Sequence, residues 1–186
     1  MLPNSFWEIY SLRSNSWRKI IVDIPIPHFR CFIPSEVYLN GVCHWLGRSD
    51  NGTTFVVSFN LTNDVFFTTP IDWHHGCSFR LVVLNGFIAM ITHYYATKSY
   101  TISILGEIGV KESWTRLFDI GPLSYNNSVI AAGEKGNIFL STENGKIARF
   151  DLTTKVIEEI DFKREFHIRQ IVHYKKNLGP IGGINS

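Results

Sequence analysis

The sequence predicts an all-β fold built from four-stranded antiparallel repeats, an incomplete, propeller-like arrangement, and three observations support it. Aromatic and β-branched residues are frequent while charged residues make up only 18% of the chain, a composition that favours strands. Short alternating apolar segments are separated by turn dipeptides such as Asn40-Gly41 and Asn85-Gly86, which suit two-residue hairpin turns. These features recur every 40 to 50 residues or so, the period of propeller blades.

The most regular repeat spans residues 35–69 and defines the unit. A first strand ends at Asn40-Gly41 and a second follows directly from Val42. After a polar loop at residues 47–52, Phe55, Val57 and Phe59 alternate with Val56 and Ser58, the period-2 pattern of a third strand. A turn at residues 60–64 leads into the fourth strand, so the repeat is an antiparallel meander.

The corner between the third and fourth strands recurs more faithfully than any other segment. Tyr10 to Trp17, Phe59 to Phe66 and Phe150 to Ile157 share one pattern: an aromatic residue, a small polar residue, leucine, a polar pair and a large apolar residue. A fourth corner lies between Ile104 and Trp114 and carries extra residues around Gly106 and Gly109. The recurrence of this corner supports the division of the chain into four-stranded repeats of the kind found in propeller blades.

These patterns divide the chain into one domain over residues 1–174 and a flexible tail over residues 175–186. The domain is predicted to contain a partial first repeat, three complete repeats, a closing strand and three connectors between repeats. Their bounds are residues 6–21 for the partial repeat, 35–69, 79–118 and 128–161 for the complete repeats, 168–174 for the closing strand, and 22–34, 70–78 and 119–127 for the connectors. Because so few repeats do not make a comfortable ring, the chain is either part of a longer protein or an open arc.

Composition and charge exclude several functional classes. The net charge of +2 comes from scattered basic residues, which argues against nucleic-acid binding. No apolar stretch approaches the length of a membrane span, and residues 1–5 do not resemble a secretory leader. Three cysteines without a secretory leader indicate reduced thiols. We therefore expect an intracellular protein, cytoplasmic or nuclear or both, that binds neither nucleic acid nor membrane.

Several segments together resemble the F-box associated domain of plant F-box proteins, a kelch-like domain. The resemblance covers most of the chain and rests on Tyr10-Ser11-Leu12 with Asn15 and Trp17, Leu39-Asn40-Gly41-Val42 with His44-Trp45-Leu46, Lys111 to Phe118, Leu84-Asn85-Gly86, and Phe150-Asp151-Leu152. It implies a protein-binding module that recognises the target of a cullin-type (SCF) ubiquitin ligase. The F-box itself is missing from this sequence, so the ligase adaptor is an expected partner only if an F-box lies upstream. The target protein is unknown.

Two other functions stay open at this point. A kelch-like interaction scaffold unconnected to ubiquitin is the alternative, and a propeller enzyme comes third. The sequence contains none of the common nucleophile, phosphate-binding, dinucleotide or zinc-protease motifs, so we predict no enzyme activity and no cofactor. His74, His75 and Cys77 offer metal-ligating atoms, but no second pair of ligands stands at a usual spacing, and no metal site is predicted.

The candidate partner-binding residues are aromatic and basic side chains in loops, where packing in a core does not explain them. Trp17, Trp45 and Trp114 lie within predicted strands, so we assign those three to packing between repeats. Connectors between repeats and loops between second and third strands should open on one face of the domain. The predicted face comprises His28, Phe29, Arg30, Trp73, His74, His75, Tyr94, Tyr95, Lys98 and Tyr125.

Overall fold

The chain folds into four antiparallel sheets that stack face to face in sequence order. The computed structural model describes residues 7–12, 14–20, 30–31, 36–72, 75–123, 128–133, 136–141 and 146–160. Fifteen strands lie in this part of the chain, which confirms the predicted all-β, propeller-like fold. No helix in these ranges is long and apolar enough to cross a membrane.

Sheet I is a two-stranded hairpin of β1 (Trp7–Ser11) and β2 (Ser16–Ile20). Ile20 is buried towards the next sheet, whereas Trp17 stays 65% exposed and its ring contacts that of Tyr10 at a centroid distance of 5.1 Å. The assignment of Trp17 to packing between repeats is therefore wrong, because alternation along β2 directs its ring to the face opposite Ile20.

Sheet II has a first strand in two pieces. Both β3 (Arg30–Cys31) and β4 (Val37–Leu39) pair with β5, with Arg30 opposite Arg48 and Val37 opposite His44. The predicted connector over residues 22–34 thus contributes a short strand. The sheet is completed by β5 (Val42–Arg48), β6 (Thr54–Asn60) and β7 (Val65–Ile71).

Sheet III is a regular four-stranded meander. Its third and fourth strands are joined through a loop that ends in a single 3-10 turn at Lys111–Ser113. The second strand reaches Tyr94, so the candidate residue Tyr94 belongs to a strand rather than a loop, and the loop itself runs from Tyr95 to Lys98. The strands are β8 (Cys77–Leu84), β9 (Phe87–Tyr94), β10 (Ser99–Leu105) and β11 (Trp114–Ile120).

Sheet IV repeats the meander with shorter strands. They are β12 (Ser128–Ala132), β13 (Asn137–Ser141), β14 (Ile147–Asp151) and β15 (Ile157–Ile160). Each of the four sheets overlaps one predicted repeat, but sheets II and III extend past the predicted bounds at both ends. The predicted closing strand at residues 168–174 and the tail at residues 175–186 lie outside the described residues.

The recurring corner has a left-handed residue at the same position in three of the sheets. Its sixth residue is Asn15 in sheet I, Asp64 in sheet II and Lys155 in sheet IV, with φ of 47°, 58° and 62°. These values are in the left-handed region, which residues other than glycine rarely adopt. The hairpins at Asn40-Gly41 and Asn85-Gly86 have positive φ at both positions, as the type I′ turn requires.

Apolar side chains fill the three spaces between successive sheets. Trp45, Val57 and Phe59 of sheet II pack with Ile20 of sheet I. The opposite face of sheet II packs against sheet III through a second cluster, and the far face of sheet III packs against sheet IV through a third. Since burial of apolar area is the main favourable term in folding, each sheet depends on its neighbours for stability.

Candidate functional site

Three segments of the chain meet at the end of sheet III where β9 turns into β10. The backbone N–H of Tyr95 donates to the carbonyl oxygen of Gly76 at 3.1 Å, which joins the loop to the connector before β8. The N–H of Leu123 donates to the carbonyl oxygen of Lys98 at 3.0 Å, which joins the same loop to the connector after β11. The loop Tyr95 to Lys98 is therefore fixed on both sides by backbone hydrogen bonds.

Tyr95 is the most prominent aromatic side chain at this end of sheet III. It is 53% exposed and packs edge-on against His93, with ring centroids 4.9 Å apart. His93 in turn stacks on Tyr100 at 4.4 Å. Burial lowers the pKa of His93, so the imidazole is neutral at pH 7 and supports the Tyr95 ring from below. About half of the Tyr95 side chain is therefore available to a partner.

A cleft of about 520 Å³ opens between sheets II and III beside this loop. Its volume is in the range of ligand-binding clefts in proteins, about 300 to 1,000 Å³. Tyr94 stands on its wall, one residue before Tyr95. The lining residues come from the end of β7, from strands β8 to β11 and from the 3-10 turn: Pro70, Ile71, Asp72, Phe79, Met90, Thr92, Tyr94, Thr101, Ser103, Lys111, Glu112 and Trp114.

The rim of the cleft is held by contacts between the two sheets. The Lys111 Nζ lies 2.6 Å from Asp72 Oδ1, and this hydrogen-bonded ion pair raises the pKa of Lys111. Nearby, the N–H of Gly109 donates to Thr69 Oγ1 at 2.8 Å. Together these contacts attach the loop between β10 and β11 to the outer strand of sheet II. The cleft thus has a defined mouth.

The structure brings four of the predicted partner-binding residues to one end of sheet III. Tyr94, Tyr95 and Lys98 lie in or beside the β9–β10 loop, and His75 precedes Gly76 in the connector bonded to it. Arg30 begins β3 and pairs with Arg48 of β5. Across the same sheet Arg48 pairs with Thr54 of β6, and Thr54 pairs with Ile71 of β7, a residue that lines the cleft. Five others fall outside the described residues: His28, Phe29, Trp73, His74 and Tyr125.

Most of the cleft residues were missed by the sequence reasoning. Phe79, Thr92, Ser103 and Trp114 lie on four different strands, and only the strand register places them on one face of sheet III. One signal was available: Thr101 and Ser103 alternate with apolar residues along β10, and Thr92 interrupts an apolar run in β9. Such interruptions are expected where a sheet face turns from core to cleft.

Within the described ranges, no three His, Cys, Asp or Glu side chains are grouped so that they could hold a metal ion. The buried His44 uses its Nδ1 to contact Ser58 Oγ at 2.8 Å. The indole N–H of Trp114, on the cleft wall, is buried and has no hydrogen-bond acceptor in the described part of the chain.

Comparison with known proteins gives consistent matches along the chain. A family profile described as "F-box associated beta propeller domain" matches residues 3–179. A putative F-box/kelch-repeat protein of Arabidopsis thaliana is 26% identical over 168 residues, which cover 86% of this chain and 45% of the relative. The F-box protein CPR1 of the same plant is 25% identical over 179 residues, covering 84% and 43%.

A second F-box/kelch-repeat protein of Arabidopsis thaliana is 24% identical over 128 residues, or 63% of this chain and 33% of the relative. The chain therefore spans less than half the length of each of these three relatives.

Proposed function

The chain belongs to the F-box associated beta propeller family, and we propose that it binds the target protein of a cullin-type (SCF) ubiquitin ligase. The observation that supports this most is the extent of the family match, residues 3–179 of 186. The similar proteins carry F-box in their names. In this proposal the chain performs no chemistry itself. It holds a target close to a ligase that transfers ubiquitin.

The loop end of sheet III is the proposed contact surface for the target. Aromatic and arginine side chains contribute most of the binding energy in protein interfaces when they become desolvated there. Tyr95 is exposed and is supported by His93, and it directly follows Tyr94, which stands on the cleft wall. The adaptor of the ligase is a partner only through an F-box upstream of this domain. We place the complex inside the cell, in the cytoplasm or the nucleus.

The proposal is tested by affinity purification from plant cells under proteasome inhibition, with partners identified by mass spectrometry. The full chain is compared with the same chain carrying an F-box fused upstream. We expect both to capture the same target, and only the fusion to bring down the adaptor and to raise ubiquitination of that target. A shared target without increased ubiquitination would favour an interaction scaffold unconnected to ubiquitin.

Two substitutions in sheet III localise the binding surface. Tyr95→Ala removes an exposed ring at the proposed contact end, and we expect at least a tenfold loss of captured target, as for a binding hot spot. Phe87→Ala is the matched control because Phe87 is 49% exposed and follows the Asn85-Gly86 hairpin at the opposite end of the sheet. Equal losses in both variants would contradict the assignment of the surface.

A further inference from the structure

The cleft between sheets II and III has an unbalanced charge at its mouth. Lys111 forms its ion pair with Asp72 at 2.6 Å, and Glu112, which also lines the cleft, forms no ion pair with another described residue. The three groups therefore leave one negative charge. On the neighbouring strand Arg116 and Asp119 lie 2.5 Å apart and neutralise each other. A positively charged group entering the cleft would be attracted by Glu112.

The walls of the cleft combine apolar and hydrogen-bond-accepting surface. Ile71, Phe79 and Met90 supply apolar contact on facing sides. The hydroxyl oxygens of Thr92 and Ser103 make no hydrogen bond with the described part of the chain. The Thr101 hydroxyl group donates a hydrogen bond to Asp119 Oδ1 at 2.9 Å, and its oxygen can still accept one. These oxygens are acceptors for the several N–H groups of a cationic side chain.

This combination fits a long basic side chain better than a neutral or acidic one. Arginine and lysine have apolar stems that pack along hydrophobic surface and charged ends that seek acceptors and carboxylates. A cation can also lie over the face of an aromatic ring such as Tyr94 or Trp114. An acidic side chain would meet Glu112 and would gain nothing from Lys111, which is already paired with Asp72.

We propose that the cleft receives one arginine or lysine side chain of the bound protein, with Glu112 as its countercharge. This inference rests on the proposed function, since it names the chemistry of the residue that the target inserts. The expected partner sequence is a basic residue in an exposed, extended segment.

The test uses a capped pentapeptide, acetyl-Ala-Ala-Arg-Ala-Ala-amide, titrated into the full chain and followed by the NMR signal of the Trp114 indole N–H. That signal is assigned by its loss in Trp114→Phe. We expect the arginine peptide to shift it at millimolar concentration, and the same peptide with citrulline, which is neutral and nearly isosteric, to bind at least twofold more weakly. Added salt at about 0.5 M should weaken binding of the arginine peptide because exposed charges are screened.

Glu112→Gln removes the unbalanced charge and should lower the affinity for the arginine peptide by about two- to fivefold, the range for an exposed ion pair. Glu107→Gln is the matched control, since Glu107 is exposed, lies in the same loop and does not line the cleft. Binding of the citrulline peptide should be the same in both variants. Equal affinity for arginine and citrulline, or no shift of the Trp114 signal, would overturn the proposal.

The outcome also separates this inference from the proposed function. Loss of the captured target in Tyr95→Ala, with no binding of the arginine peptide, would reject the basic side chain and leave target recognition standing. Absence of any captured target together with absence of peptide binding would reject both.

Discussion

His44 Nδ1 lies 2.8 Å from Ser58 Oγ inside the protein. His44 is 1% exposed and Ser58 is fully buried. Both side chains are on the face of sheet II that packs against sheet III, the face that also carries Leu46 and Val56. Burial lowers the pKa of His44 to about 4, because a charged imidazole loses its hydration there. The folded protein therefore holds this histidine neutral.

The first prediction is a loss of stability in mild acid. An unperturbed histidine has a pKa near 6.5, so the unfolded chain binds a proton between about pH 6.5 and pH 4 that the folded chain excludes. The contribution of neutral His44 is complete above about pH 6.5 and is lost as the pH falls, by about 3 kcal/mol at pH 4. Urea unfolding at a series of pH values measures this slope.

His44→Asn is the variant that tests the origin of the slope, since asparagine can still bond Ser58 but does not titrate. Its free energy of unfolding should depend less on pH between about 6.5 and 4. Hydrogen bonds from Arg18 lower the pKa of Asp64, and those from Arg116 lower that of Asp119. Their contributions are lost only at lower pH and do not enter this window. An unchanged slope in His44→Asn would contradict the prediction.

The second prediction concerns the leucine at the third position of the recurring corner. Leu152 is 5% exposed, Leu61 38% and Leu12 76%. Leu152→Ala should destabilise the fold by roughly 2 to 5 kcal/mol because it leaves a cavity, whereas Leu12→Ala should change stability by no more than about 0.5 kcal/mol. Leu61→Ala should lie between them. Urea denaturation of the three variants gives the order, and a cost for Leu12→Ala as large as that for Leu152→Ala would reject it.

These leucines also indicate how far sequence reasoning reaches. The corner pattern located the turn between the third and fourth strands, and its sixth residue has a left-handed φ at Asn15, Asp64 and Lys155. The difference in exposure between Leu12 and Leu152 could not be predicted from the same pattern, because it depends on which sheet packs beside the corner. The assignment of Trp17 to packing between repeats failed for the same reason. The conformation of a turn is determined by adjacent residues and can be predicted from them, whereas the packing between sheets cannot.

The third prediction is that Lys98→Gly does not destabilise the fold. Lys98 has φ of 50°, a conformation that costs residues other than glycine about 1 to 2 kcal/mol, and its side chain is exposed. We expect Lys98→Gly to be neutral or stabilising by up to about 1 kcal/mol, while Lys98→Val should be clearly destabilising. Ala96→Gly, in the same loop at negative φ, is the control and should cost about 0.5 to 1 kcal/mol. Similar losses for both glycine variants would contradict the assigned backbone conformation.

The candidate site was predictable only in part, for a related physical reason. Tyr95 and Lys98 were identified because aromatic and basic residues in a short loop have no core to explain them. The cleft beside them required the register of β8 to β11, which sets Phe79 opposite Thr92 and Thr92 opposite Thr101. The lining residues come from several strands of sheet III and from the end of β7 in sheet II, so the sequence of no single segment predicts the cleft.

The fourth prediction is that Gly121→Ala is among the most damaging substitutions near the site. Gly121 has φ of 114°, and a Cβ there would lie 3.0 Å from both the carbonyl oxygen of Lys98 and the Cα of Ser99. The connector after β11 would have to move away from the β9–β10 loop, which breaks the Leu123 to Lys98 hydrogen bond. We expect a loss of at least about 2 kcal/mol in the free energy of unfolding, with faster hydrogen exchange at the amide of Leu123.

Gly86→Ala is the control, because Gly86 has φ of 81° with no atom within 4 Å of the added Cβ, so it bears the backbone strain without the collision. If the two variants lose equal stability, close packing of the connector on the loop is not what positions Tyr95.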